Sequence, residues 1–233
     1  LSSRHLLAQC MVNCGDARGA LEEIKVLLPI SVEVQGANHP GVLSTRYLRA
    51  QCLRETGDLV GAIEELENLA PIQSKVLGEH HLNTVLTRNA KALFHHLAED
   101  FQASLSEFEA VIPIAEDVLG SKSIELLLAR FYMAQSRLNL GDPQRALSEL
   151  NTLLPVLTEV QGAHHANVLG ERLLRALCLE ALGHNEEATI ELEGLEEGFA
   201  EANLPPDHAN VVSLQALRAR LSAPPSPDTS PDV

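Results

Sequence analysis

The chain has 233 residues, 45% of them hydrophobic and only 3% aromatic, and 17 Lys and Arg against 32 Asp and Glu leave a net charge of −15. So acidic a surface repels phosphate backbones and anionic headgroups; nucleic-acid and membrane-surface binding are not expected, and a basic or apolar partner suits it better than an acidic one. Leucine is abundant, tryptophan is absent and no alternating β-branched runs occur, which predicts an all-α protein. No apolar run reaches the roughly 18 residues of a membrane helix and no secretory leader is visible, so the cytoplasm is the default location.

Leu1 opens the chain already within the register of a helix, which reads as a piece cut from something longer. The register comes from an internal period. Shifting the sequence by 42 residues superposes Gly15, Gly57, Gly141 and Gly183, with Glu99 in the remaining copy, and likewise Ala20, Ala62, Ala146 and Ala188, with Ser104. A fixed period of this length means one supersecondary unit repeated, each copy burying its apolar face against its neighbours.

The copy at 37–78 serves as template. Residues 40–55 carry Val42, Leu43, Tyr47, Ala50 and Leu53 at helical spacing, and Gly57 ends this helix A as a left-handed residue would. Asp58 then caps helix B, whose stripe of Ala62, Ile63, Leu66, Leu69 and Ala70 runs on to about Leu77 before Gly78. The unit is an αα-hairpin. The register divides the chain into 1–36, 37–78, 79–120, 121–162 and 163–204, a capping helix at 206–221 and a disordered Pro/Ser/Asp tail over 222–233, with 1–221 as one repeat domain. Helix B carries Pro29, Pro71, Pro113 and Pro155 in register, each of which should bend it.

The Gly57-Asp58-Leu59-x-x-Ala62 spacing, followed by Leu66 and Ala70, resembles the tetratricopeptide repeat. The longer period, the phrase from His39 to Arg46 and the Val76-Leu77-Gly78 closure look like the kinesin-light-chain-type variant found in bacterial multidomain signalling proteins. That resemblance spans residues 1–221. It implies a right-handed superhelical αα-hairpin repeat solenoid of about five repeats plus a cap, acting as a partner-binding scaffold. Departures gather in the third repeat, where Glu99 replaces the turn glycine and Ser123-Ile124 replace His-Pro at its exit.

Two charged columns recur in every copy: Arg4, Arg46, Arg88, Arg130 and Arg172 on helix A, and Glu23, Glu65, Glu107, Glu149 and Glu191 on helix B. An open row of guanidiniums could hold carboxylates or phosphates; alternatively each arginine lies along a helix interface, paired to a glutamate. The second reading is preferred, because residues identical in every copy serve the repeat. Residues that read a partner should vary. The resemblance places the concave surface on helix A, where the matching variable positions are Tyr47, Gln51 and Arg54, then Asn89, Leu93 and His96, then Phe131, Gln135 and Leu138, then Leu173, Leu177 and Glu180. Tyr47 and Phe131 supply rigid aromatic area, and the amides could bond an extended backbone.

Catalytic and metal signatures are missing. There is no phosphate loop, nucleophile elbow or kinase set, and the ten histidines and four cysteines form no Cys-x-x-Cys or His-Glu-x-x-His spacing. Cys10, Cys52 and Cys178 share one position and read as buried core residues without disulfides. His39, His81 and His165 share the loop before helix A, where a ring nitrogen can bond a helix end. The expectation is a non-enzymatic module, without cofactor or metal, that binds a peptide or protein segment in its groove; self-association is the alternative, and a small-ligand or metal sensor a third.

Overall fold

The computed structural model describes residues 1–202 and 204–222. Among them every regular element is a helix: α1 (Ser2–Asn13), α2 (Ala17–Gln35), α3 (Pro40–Glu55), α4 (Leu59–Leu77), α5 (Leu82–Leu97), α6 (Phe101–Leu119), α7 (Ile124–Asn139), α8 (Pro143–Gln161), α9 (Ala166–Ala181), α10 (Asn185–Glu201) and α11 (Ala209–Ser222). They gather into two compact units, Leu1–Leu140 with α1 to α7 and the residues from Gly141 onward with α8 to α11. The tail expected from 222 lies outside the described residues, apart from Ser222 at the end of α11.

Short-range chemistry sets the helix ends. Asp16, Asp58, Asp100 and Asp142 each accept a hydrogen bond from the backbone N–H three residues on, at 2.8, 2.9, 3.1 and 3.1 Å, satisfying a donor that the first turn leaves open. His184 breaks the column, and α10 starts without a side-chain cap. α3, α5, α9 and α11 are capped by histidine. Nδ1 of His39, His81, His165 and His208 accepts from the N–H two residues on at 3.1 to 3.2 Å, and Ser123 does the same work for α7.

Gly57 has φ 92°, and Gly15, Gly141 and Gly183 are likewise left-handed. Glu99 adopts the same turn, at φ 61°. Its neighbour Asp100 donates its N–H to the His95 carbonyl at 2.9 Å, just as Asp58 donates to Leu53 at 2.9 Å, so the departure in residue type leaves the hairpin geometry intact. The helices also run on for six residues beyond Pro29, Pro71, Pro113 and Pro155. Each proline deprives the carbonyl four residues back of its helical partner, and those residues, Lys25, Glu67, Glu109 and Asn151, are all exposed, so water can take up the bond.

The core of the first unit is a succession of clusters, each joining a hairpin to the helix that follows. Ala20 and Ile24 of α2 meet Leu48 and Cys52 of α3; Leu66 and Leu69 of α4 meet Phe94 of α5; Phe108 and Val111 of α6 meet Leu126 and Met133 of α7. In the second unit α11 inserts Leu214 and Leu217 against Leu173, Leu192 and Leu195. Burial pushes the thiol pKa of Cys52 up to about 11 and that of Cys178 up to about 12, as expected of inert core residues. Cys10 differs from that expectation. It is exposed, whereas Cys52 is buried against Ala20 and Ile24 of α2.

Candidate partner-binding groove

Five of the nine residues expected to face a partner in the first unit converge on one cavity of about 300 Å³: Tyr47, Gln51 and Arg54 from α3, and Asn89 and Leu93 from α5. Tyr132, Glu125 and Leu128 of α7 also line it, with Leu86 and Phe94 of α5. The Tyr47 hydroxyl accepts from Gln51 Nε2 at 3.2 Å, and burial pushes its pKa up against the opposing pull of Arg54, so the phenol keeps its proton as a donor. Arg54 bonds Glu55 at 3.2 Å and places its guanidinium 5.5 Å from the centre of the Phe94 ring. The Ser123 hydroxyl, 2.7 Å from Glu125, together with that residue's own backbone, holds the Glu125 carboxyl below the usual carboxylate range. Among these groups Asn89 is unusual. Both atoms of its carboxamide are buried, and neither has a hydrogen-bond partner among the described residues.

The other four do not line the cavity. His96 is only 8% exposed; its Nδ1 lies 2.8 Å from Ser136 Oγ, and its ring sits 5.3 Å from Phe101 and 5.2 Å from Tyr132. Burial lowers its pKa, against a hydrogen bond that the ring donates to the Gln135 side chain, so that side chain is tied to His96. Phe131 is half-buried, edge-on to Tyr132 at 5.3 Å, and Leu138 is half-buried farther along α7. In the second unit Leu173 and Leu177 belong to the core, and Glu180 is clamped by Arg220 at 2.5 and 2.8 Å.

The lining follows a rule that the register alone does not contain. On α3 it comprises 47, 51 and 54; on α5 it reaches back to 86, and on α7 to 125, 128 and 132. Subtracting the period turns 86 into 44 and 125, 128 and 132 into 41, 44 and 48, so the strip recedes by about one helical turn with each hairpin. Tyr132 stands in the column of the buried Leu48 and nonetheless lines the cavity.

The charged columns meet at helix interfaces. Arg46 Nε lies 2.6 Å from Glu65 Oε1, Arg88 Nε 2.7 Å from Glu107 and Arg172 Nε 2.6 Å from Glu191, while Arg4 bonds Glu23. Arg130 belongs to the first unit and Glu149 to the second. A second cation, three residues further along helix A, takes the other carboxylate oxygen: Arg49 on Glu65, Lys91 at 2.5 Å on Glu107, and Arg175 on Glu191. This column was missed, although the Arg-x-x-Arg/Lys spacing is legible in three of the five copies. Burial alone would raise the pKa of Glu107, but hydrogen bonds from Lys91 and Arg88 outweigh it and hold the carboxyl below the ordinary range. Neither Arg46 nor Arg88 lines the cavity.

Paired helices, left-handed inner turns and a 42-residue period give an all-α repeat fold of the tetratricopeptide type, similar to that of kinesin-light-chain TPR-like repeats. No family model and no curated protein matches the sequence. Among solved structures, nearly identical TPR-like repeats described as those of a kinesin light chain from Podosopora anserina superpose with a TM-score of 0.73 at 23% identity, over 87% of this chain and 96% of that one. BtubC (BKLC) from P. vanneervenii gives 0.69 at 15% identity over 100% and 85%, and a Rap protein complexed with competence and sporulation factor gives 0.61 at 12% over 94% and 62%. At these identities the likeness is one of fold. Among the described residues no helix is long and apolar enough to cross a membrane.

Proposed function

We propose that the chain is a protein-interaction module whose first unit binds an extended peptide or protein segment across α3, α5 and α7. The observation that carries this reading is the Asn89 carboxamide, buried in the lining of the cavity with neither its oxygen nor its nitrogen bonded. An extended backbone offers one C=O and one N–H in the matching fork, and a buried amide left without them is costly. Tyr47 and Tyr132 supply the rigid aromatic area on which such a segment can rest. The Rap protein of similar fold, captured with its factor bound, is a precedent for ligand binding in such an array. In this reading the module is the sensory or scaffolding part of a larger signalling protein.

A display library of random peptides selected on the purified protein tests the assignment. Replacing Asn89 with Leu, or Tyr47 with Ala, should weaken capture of the selected pool by about tenfold or more, the scale of one or two lost net hydrogen bonds or a lost aromatic anchor. The melting temperature of Asn89→Leu should move by no more than a few degrees, since Asn89 makes no bond in the free protein. Capture unchanged in both variants rejects the groove.

A second reading, self-association, is favoured by α1. Leu6 and Leu7 are 62% and 52% exposed, although Leu48, the register equivalent of Leu6, is buried against Ala20 and Ile24 of α2. The partner in that case is a second copy of this chain, meeting the face that α1 leaves open.

A further inference from the structure

We propose that a second cavity beside the groove, of about 180 Å³, is a subsite for an uncharged carboxamide, the side chain of an asparagine or glutamine on the bound segment. The proposal rests on the peptide reading above for the delivery of that side chain; the chemistry of the cavity is argued independently.

Gln73 of α4 is the central group. It is 0% exposed, it lines this cavity, and neither atom of its amide has a hydrogen-bond partner among the described residues. The repeat does not need an amide there: the same position holds Ser31, Ala115, Leu157 and Phe199 in the other copies, all buried. Glutamine is therefore particular to this hairpin, and by the reasoning that separates framework from recognition it belongs with the residues that meet a partner.

Apart from Leu86, the rest of the lining is polar and carries no formal charge. Thr45 donates its hydroxyl proton to the Gly41 carbonyl at 2.8 Å, so its 3.0 Å contact with His5 must use a proton on His5 Nδ1. That leaves Nε2 of His5, a residue lining the cavity, as an acceptor, and burial holds the ring neutral by lowering its pKa. The Tyr47 hydroxyl, already accepting from Gln51, has its own proton to give. Ser44 and Asn83, 3.5 Å apart, add a hydroxyl and a further amide. A carboxylate here would meet no cation and an ammonium no anion, and burying either unpaired is heavily unfavourable. A primary carboxamide fits because it mirrors Gln73, giving an N–H to Oε1 and accepting from Nε2 in one planar pair. Tyr47 and Leu86 line both this cavity and the larger one, so a single segment can lay its backbone at Asn89 and drop one side chain at Gln73.

The test uses the same displayed random peptides, selected in parallel on the wild-type protein and on Gln73→Leu, a residue that position already accommodates at Leu157. The wild type should enrich Asn or Gln at one fixed place in the captured peptides. A captured peptide with that residue changed to Glu or Ala should bind about tenfold more weakly, and Gln73→Leu should still capture peptides but lose both the enrichment and the discrimination. Peptides captured without an Asn or Gln preference, or a preference that survives in Gln73→Leu, overturn the subsite while leaving the groove standing; no capture by the wild type overturns the groove and the subsite with it. Acetamide alone gives a reading free of the peptide. It should shift the Gln73 side-chain NH₂ resonances saturably where acetate and N,N-dimethylacetamide do not, and a response to none of the three means that water alone occupies the cavity and the subsite is wrong.

Discussion

Glu99 holds a backbone conformation that the other inner turns assign to glycine, with φ 61° where Gly57 has 92°. For an L-residue the left-handed region costs roughly 1–2 kcal/mol, part of which glycine gives back through its more flexible unfolded chain. Glu99 is exposed, so no packing is lost on replacing it. Glu99→Gly should therefore stabilise the protein by about 0.5–1 kcal/mol in urea or thermal unfolding. His96 supplies a second expectation at this scale. Burial lowers its pKa in the fold, so the unfolded chain binds the proton more readily, and the stability from the neutral ring is complete above about pH 6.5 and falls as the pH drops through the folded value. The melting temperature should decline between pH 7 and pH 5, and His96→Gln should reduce that decline without abolishing it, because His5 is shifted in the same direction. A slope unchanged in His96→Gln would assign the effect to other groups.

At the scale of the helix pair, the ladder gives a graded expectation. Arg88 and Glu107 have side chains only 16% and 15% exposed, whereas Arg4 is 40% exposed against Glu23 at 20%. Removing Arg88 leaves a largely buried carboxylate with Lys91 as its remaining ladder cation, so Arg88→Ala should cost about 1–2 kcal/mol; Arg4→Ala, at a pair open to water, should cost clearly less than Arg88→Ala. Chemical denaturation of the two variants measures both. A cost within about 0.5 kcal/mol at Arg88 would return that arginine to the surface, free to meet a partner. Helix ends and caps were legible because they depend on residues within a few positions of each other: Asp58 three residues before Gly61, His39 two before Gly41. The second cation column was legible too, in Arg46-x-x-Arg49 and Arg172-x-x-Arg175, and was passed over because attention to single columns hides a partner three residues away on the same face.

For the molecule as a whole, the exposed leucines of α1 bear on assembly. If the chain self-associates through that face, its mass by light scattering should rise with concentration, and Leu6→Lys should hold it at the monomer value; a monomer throughout the accessible range removes this reading. The sequence by itself determined the period, the hairpin unit, the places where helices start and stop and the residues that recur to build each copy. All of these rest on chemistry within one repeat or on identity between repeats. Only the tertiary structure decided which variable residues share a cavity. Tyr47, Asn89 and Phe131 stand at one register position, yet the first two line the groove beside Tyr132 while Phe131 lies outside it. The strip that lines the cavity shifts back by about one turn from α3 to α5 and again to α7, a consequence of how the helices pack together, and no count along the chain contains that displacement. The same holds for Gln73, whose significance lies in having no partner in a folded interior.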